Sequence, residues 1–206
     1  MLVILVSPYI RHTGPTGRLL ATLLAAMIPL TSFYALTADR KRAFIILFLA
    51  APFVILDPMS LFFSNRYLLL VALSFGTLLY FYIVVLLVRN LLSYRVITAD
   101  LIYCAIATYF LIGVMWAGIY MVVEGISPGS FSGISEMSDL VYFSFVTLTT
   151  VGYGDISPQT ILARRLAVFE AAMGGIYLAV IIAMLVGRYM SMEEEKDIER
   201  ELNSKK

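Results

Sequence analysis

The sequence predicts an all-α membrane protein of five to six transmembrane helices, with one further re-entrant half-helix and loop near its C-terminal end. Three observations carry that reading. Of the 206 residues, 61% are hydrophobic and 14% charged, against roughly 25% charged residues in soluble domains. A chain this short cannot hide so much apolar surface in a core of its own. Several apolar stretches approach or reach the roughly 20 residues that a helix needs to cross a bilayer core of about 30 Å. None shows the alternation of a lipid-facing barrel strand, so helices are the spanning form.

Met1 to Ile10, "MLVILVSPYI", is apolar but too short to cross, and it lacks the basic flank and cleavage site of a signal peptide. Two readings fit it: the outer end of a first span that begins abruptly or is cut short, and a short interfacial segment with an external N-terminus. Spans are expected at Leu19 to Leu36, Ala43 to Phe63, Tyr67 to Val88, Leu101 to Val123 and Ile161 to Val186. The second of these is interrupted by Pro52, Asp57 and Pro58, and is expected to kink or stop near Asp57 at the interface.

Basic residues orient these spans, because Lys and Arg accumulate in short cytoplasmic loops. Arg40, Lys41 and Arg42 mark one inside loop, Arg89 and Arg95 a second, and Arg188, Lys196, Arg200, Lys205 and Lys206 the tail. The C-terminus is therefore expected to be cytoplasmic. Arg11, Arg18, Arg66, Arg164 and Arg165 fall outside or at the outer interface, where the longest outside segment carries Glu124, Glu136 and Asp139. The net charge of +1 gives no electrostatic reason to expect nucleic acid as a partner. Cys104, the single cysteine, reads as a packing residue and His12, the single histidine, as a solvated loop residue. No cluster with metal-ligand or catalytic spacing exists, so the sequence does not read as an enzyme and needs no cofactor.

Between the last two spans lies a segment of different composition. Glu124 to Asp139, "EGISPGSFSGISEMSD", is rich in Gly, Ser and Pro and reads as an exposed loop. Leu140 to Thr150, "LVYFSFVTLTT", is helical in length but too short to span, and Ser138 or Asp139 can cap its start. A half-helix entering from outside points its negative dipole end at the bilayer centre, where it favours a cation. "TVGYGD" follows, and its glycines Gly152 and Gly154 can take backbone angles that turn successive carbonyls to one side. Irregular backbone at this depth is tolerated where it is buried in protein or lines a pore.

This order of outer helix, loop, half-helix, Thr-Val-Gly-Tyr-Gly-Asp and inner helix, covering about residues 100–190, resembles the tetrameric potassium channels, a family of pore-loop cation channels. The chain looks like their six-span prokaryotic type without a charged voltage-sensor helix. The resemblance implies a homotetramer, embedded in lipid in the cell membrane, that conducts potassium passively. It implies K+ at Thr150, Val151, Gly152 and Tyr153, with Gly154 completing the filter, Asp155 at the outer mouth, and Tyr142, Phe143 and Thr149 supporting the filter. Many relatives carry two tryptophans where this chain has Tyr142 and Phe143, and some place a glutamate where Val146 stands. Tyr142 is then the expected hydrogen-bond partner of Asp155. The alternatives are a less selective monovalent cation channel, against which the intact Tyr153 argues, and a subunit of a potassium transporter, which would normally carry four pore loops in one chain.

In the last span, "MGGIYLAV" places Gly174 and Gly175 midway, Gly175 where relatives have a gating hinge, and both are also suited to close packing. Ile176, Ala179 and Ala183 are expected to line the cavity below. Glu170 is the one carboxylate deep in this span. Arg164 or Arg165 can pair with it, as can hydroxyls such as Ser144 or Thr147, and it fits both a structural brace and a pH-sensitive element. Tyr67 to Val88 holds none of the regularly spaced arginines of a voltage sensor. The expected organisation is residues 1–98 as non-voltage-sensing helices, 99–190 as the pore domain and 191–206 as a short cytoplasmic tail, a solvated helix that continues the inner helix, in which Ser191 with Glu194 fits a capping box.

Overall fold

The computed structural model describes residues 40–63, 65–93 and 97–204. The expected span at 19–36, the segment 1–10, His12 and Arg95 lie outside them. The described elements are α1 (Arg40–Phe63), α2 (Arg66–Ser93), α3 (Ala99–Ile126), β1 (Phe131–Ser132), α4 (Asp139–Leu148), β2 (Ser157–Pro158) and α5 (Ile161–Ser204). Among the described residues four helices, α1, α2, α3 and α5, are long and apolar enough to cross a membrane.

Helix α1 runs through Pro52 and Pro58 to Phe63, the expected end of the span, so of the kink or stop expected near Asp57 the stop does not occur. Asp57 is buried within the helix, and Ser60 Oγ donates to its backbone carbonyl at 2.6 Å. A proline removes one backbone donor, but in an apolar surrounding the remaining amides have no water to turn to, so continuing the helix satisfies more of them than ending it.

Asn65 starts α2, its side-chain oxygen accepting from Tyr67 N at 2.9 Å, as a short polar side chain does at a helix entry. Arg66 then reaches the far end of α3, where Nε donates to Gly125 O at 2.9 Å and Nη2 donates to the same oxygen. Helix α2 packs along both α1 and α3. Thr98 caps α3 by accepting from Leu101 N at 3.3 Å.

The loop after α3 is tied back to the chain that follows residues 149–155. β1 pairs antiparallel with β2, Phe131 opposite Pro158 and Ser132 opposite Ser157, and Gln159 N donates to Ser130 O at 2.7 Å. Glu124 holds the loop's near end by accepting from Gly129 N at 2.7 Å and Phe131 N at 3.1 Å. Beneath it sits the core. Tyr120, Phe131 and Phe143 meet edge to face with ring centroids 5.1 to 5.3 Å apart, a geometry that aligns ring edges with ring faces.

The 44 residues of α5 would extend about 66 Å at helical rise, well beyond a bilayer core. Ser191 lies inside this helix, with its Oγ donating to Gly187 O at 3.1 Å. The tail continues α5 as the expected continuation of the inner helix, and no new helix starts at Ser191 as a capping box would require.

Candidate functional site

The site is built on α4. Its 10 residues amount to about 15 Å, half of a bilayer core, so α4 can enter but not cross. Ser138, one of the two expected caps, makes no side-chain cap bond. Asp139 instead accepts from Ser135 N at 2.7 Å and Glu136 N at 3.0 Å, fixing the turn that leads into the helix. The helix ends at Leu148, two residues short of the expected Thr150.

Beyond that end the backbone folds back on the helix. Thr150 N donates to Thr147 O at 3.0 Å, Val151 N to Val146 O at 3.0 Å and Gly152 N to Val146 O at 3.3 Å. With these amides spent on α4, the carbonyls of the strand are free to point elsewhere. Their direction is set by alternation: Thr150, Gly152 and Gly154 have φ of 60°, 59° and 79°. In a regular strand successive carbonyls point to opposite sides, and reversing the sign of φ at every second residue undoes that alternation. Glycine takes such angles without cost, whereas Thr150, the one non-glycine residue at positive φ among those described, pays about 1–2 kcal/mol. The amides pinned to α4 hold it there. Residues 149–155 are all exposed on the single chain, with Val151 at 52% and Tyr153 at 70% of full exposure.

Tyr142 faces this strand from α4. Its ring stacks on that of Tyr153, with centroids 6.4 Å apart and planes 3° apart, and its Oη donates to Asp155 Oδ2 at 2.8 Å. That bond holds the Asp155 carboxyl below its ordinary value and pushes the Tyr142 hydroxyl up to about 12. Phe143 is placed otherwise than expected: it points away into the core against Tyr120 and Phe131, because the next residue along a helix is turned by about 100°. Thr149 Oγ1 donates to Phe145 O at 2.6 Å, closing the last turn of α4.

Comparison with known proteins follows the same segment. Residues 97–191 match the family described as "Ion channel". The chain is 36% identical over 62 residues to "Two-pore potassium channel 4" of Arabidopsis thaliana, covering 30% of this chain and 22% of that one. It is 37% identical over 68 residues to "Inward rectifier potassium channel Kirbac3.1" of Paramagnetospirillum magnetotacticum, covering 33% and 21%. It is 32% identical over 99 residues to "Protein LctB" of Bacillus caldotenax, covering 44% of this chain and 73% of that protein. The chain belongs to the pore-loop ion channel family. That membership makes it a multi-pass membrane protein of the channel type and not an enzyme. The matches span only about a fifth of the two potassium channels' own lengths. No solved structure matches it.

In this pore-loop protein the two glycines of α5 have different surroundings. A Cβ on Gly174 would run into the backbone oxygen of Leu148, the last residue of α4, whereas one on Gly175 would meet nothing. Gly174 thus lets α5 touch the end of the half-helix. Tyr109 Oη donates to the same Leu148 oxygen at 3.2 Å. Gly175, Ile176, Ala179 and Ala183 are all exposed on the single chain.

Glu170 is fully buried. Of the partners the sequence offered, Ser144 is the one that meets it, contacting Oε1, while Arg164 turns its Nε to Pro158 O at 3.2 Å. Tyr120, which the sequence reading did not single out, donates to Oε2. The available signal was a tyrosine hydroxyl at the same depth in a neighbouring apolar span, which needs a polar partner when buried. Lower down, Arg188 donates to Leu91 O at 3.4 Å and Leu92 O at 3.3 Å, joining α5 to the last turn of α2.

Proposed function

We propose that four copies of this chain form a passive, potassium-selective channel in the cell membrane. Carbonyls of Thr150, Val151, Gly152 and Tyr153, with the Thr150 hydroxyl, form stacked oxygen rings around a common axis that replace the hydration shell of K+, with Gly154 completing the filter and Asp155 at the outer mouth. One strand cannot surround an ion, and closed fourfold symmetry supplies the other three walls. The single observation that carries this reading is the alternation of positive φ at Thr150, Gly152 and Gly154 directly after a half-helix. Tyr142, with Thr149 at the end of α4, supports the filter from behind.

In this reading residues 99–190 are the pore domain, 1–98 flanking helices that do not sense voltage strongly, and 191–206 a cytoplasmic tail. Gly175 acts as the bending point of α5, Gly174 as its packing contact, and Ile176, Ala179 and Ala183 line the inner cavity. Potassium is the cargo and no further cofactor takes part. Purified protein in liposomes under a potassium gradient tests it. Barium-blocked potassium flux far above sodium flux is expected. Comparable sodium flux overturns selectivity, and uptake against the gradient overturns the channel.

A further inference from the structure

Tyr120 on α3, Ser144 on α4 and Glu170 on α5 are each fully buried and form one connected line of oxygens. Tyr120 Oη contacts Glu170 Oε2, Glu170 Oε1 contacts Ser144 Oγ, and Ser144 Oγ lies 2.8 Å from Gly113 O on α3. A hydroxyl carries one proton, and a backbone carbonyl only accepts. Ser144 can therefore donate to Glu170 or to Gly113, but not fully to both. With Glu170 ionised, three close contacts would share two protons, and one pair of buried oxygens would face each other with nothing between them. One more proton, on Glu170 Oε1, completes the line: Tyr120 donates to Glu170 Oε2, Glu170 donates to Ser144, and Ser144 donates to Gly113 O. The partners of the carboxyl are neutral hydroxyls, and the titratable groups facing it are Tyr120 and, with no direct bond, Tyr109, both from α3.

We propose that Glu170 is a neutral carboxylic acid that donates to Ser144 and so positions the half-helix α4 between α3 and α5. A neutral acid suits the place, since a buried carboxylate facing only hydroxyls would keep most of its desolvation cost. The line enters α4 at Ser144, two residues before the Val146 carbonyl that receives the amides of Val151 and Gly152. A shift of α4 along its axis would carry the strand with it. That second half of the proposal rests on the strand being the ion filter; the protonation does not.

Infrared spectroscopy of the full-length protein in lipid at pH 7 tests the first half without reference to conduction. The expected result is a protonated-carboxyl band that disappears in Glu170→Gln and persists in Asp57→Asn, the latter removing the other buried carboxyl among the described residues. No such band in the wild type, or one lost in Asp57→Asn, overturns the proposal. If Glu170→Gln does not accumulate, the wild type and Asp57→Asn still decide it. Potassium flux in liposomes tests the second half. The amide of Glu170→Gln can donate to Ser144 and is expected to restore flux to within about twofold of wild type, whereas Glu170→Ala loses about tenfold, the equivalent of one buried hydrogen bond. Equal loss in both variants, or none in Glu170→Ala, overturns the positioning role.

Discussion

Tyr142 Oη donates a 2.8 Å hydrogen bond to Asp155 Oδ2, so the half-helix and the residue just beyond the strand with alternating φ are joined by one side-chain contact. The same tyrosine ring lies parallel to that of Tyr153. One residue therefore braces two positions of the strand, by two separable interactions.

Tyr142→Phe separates them, because it keeps the ring and removes the hydroxyl. Exposed hydrogen-bonded pairs are worth little individually, so the channel should still assemble and keep its ion preference. Current decay during sustained conduction should accelerate by roughly two- to fivefold, measured as decay of macroscopic current in bilayers. An unchanged decay would show that stacking on Tyr153 alone holds the strand.

The pH dependence follows from the same pair. The carboxyl of Asp155 titrates below its ordinary value because Tyr142 donates to its ionised form. Its contribution is present above the ordinary carboxylate range and is lost as pH falls through the lowered value. The Tyr142 hydroxyl, raised to about 12, contributes below the ordinary tyrosine value of about 10 and is lost as pH rises through its raised one. The pair is intact across the neutral range. In Tyr142→Phe the onset of inhibition by external acid should move to higher pH, toward the ordinary carboxylate range, which flux measured against external pH reads directly.

Gly152 at φ 59° has open space around its Cα. Gly152→Ala therefore meets no clash, and its cost is backbone strain of about 1–2 kcal/mol per chain. Relief of that strain turns the neighbouring carbonyl out of line. The expected result is an assembled protein with potassium flux reduced by at least about tenfold, checked by flux assay beside size-exclusion chromatography. Retained flux would mean that the reversed φ is not needed for conduction.

Much of this arrangement is legible in the sequence, and the parts that are not share a cause. Helix identity at α2, α3 and α5, and approximate length at α2 and α3, follow from apolar run length, because the bilayer imposes the same requirement wherever the run occurs. The strand after α4 was legible because Gly152 and Gly154 stand at alternate positions. What escaped was polar satisfaction across elements. Proline signals at Pro52 and Pro58 left a kink or a stop open, and in an apolar surrounding α1 continues through both. Of the two caps the sequence offered, Ser138 makes no cap bond and Asp139 takes the amides of the preceding turn. Tyr120 and Glu170 are 50 residues apart in sequence, and no local pattern links them. The positive φ of Thr150 is likewise invisible to propensity, since threonine avoids it unless the surrounding hydrogen bonds over-determine it.

The adjacent glycines of α5 provide the sharpest steric contrast. Gly174 abuts the Leu148 carbonyl, which is backbone and cannot swing aside, whereas Gly175 faces open space. Gly174→Ala must push α5 away from the end of α4 and should cost about 1–3 kcal/mol per chain, as overpacked cores do. Gly175→Ala should leave stability within about 1 kcal/mol, because it fills nothing and alanine favours helix. Thermal unfolding in detergent compares the two. If Gly175 is the bending point of the inner helix, its alanine variant keeps wild-type stability but shows reduced open probability in single-channel records. Gly174→Ala instead loses stability and filter conduction together, since the contact it disrupts lies directly under the strand. Equal stability for both variants would place the α4–α5 contact elsewhere than at Leu148.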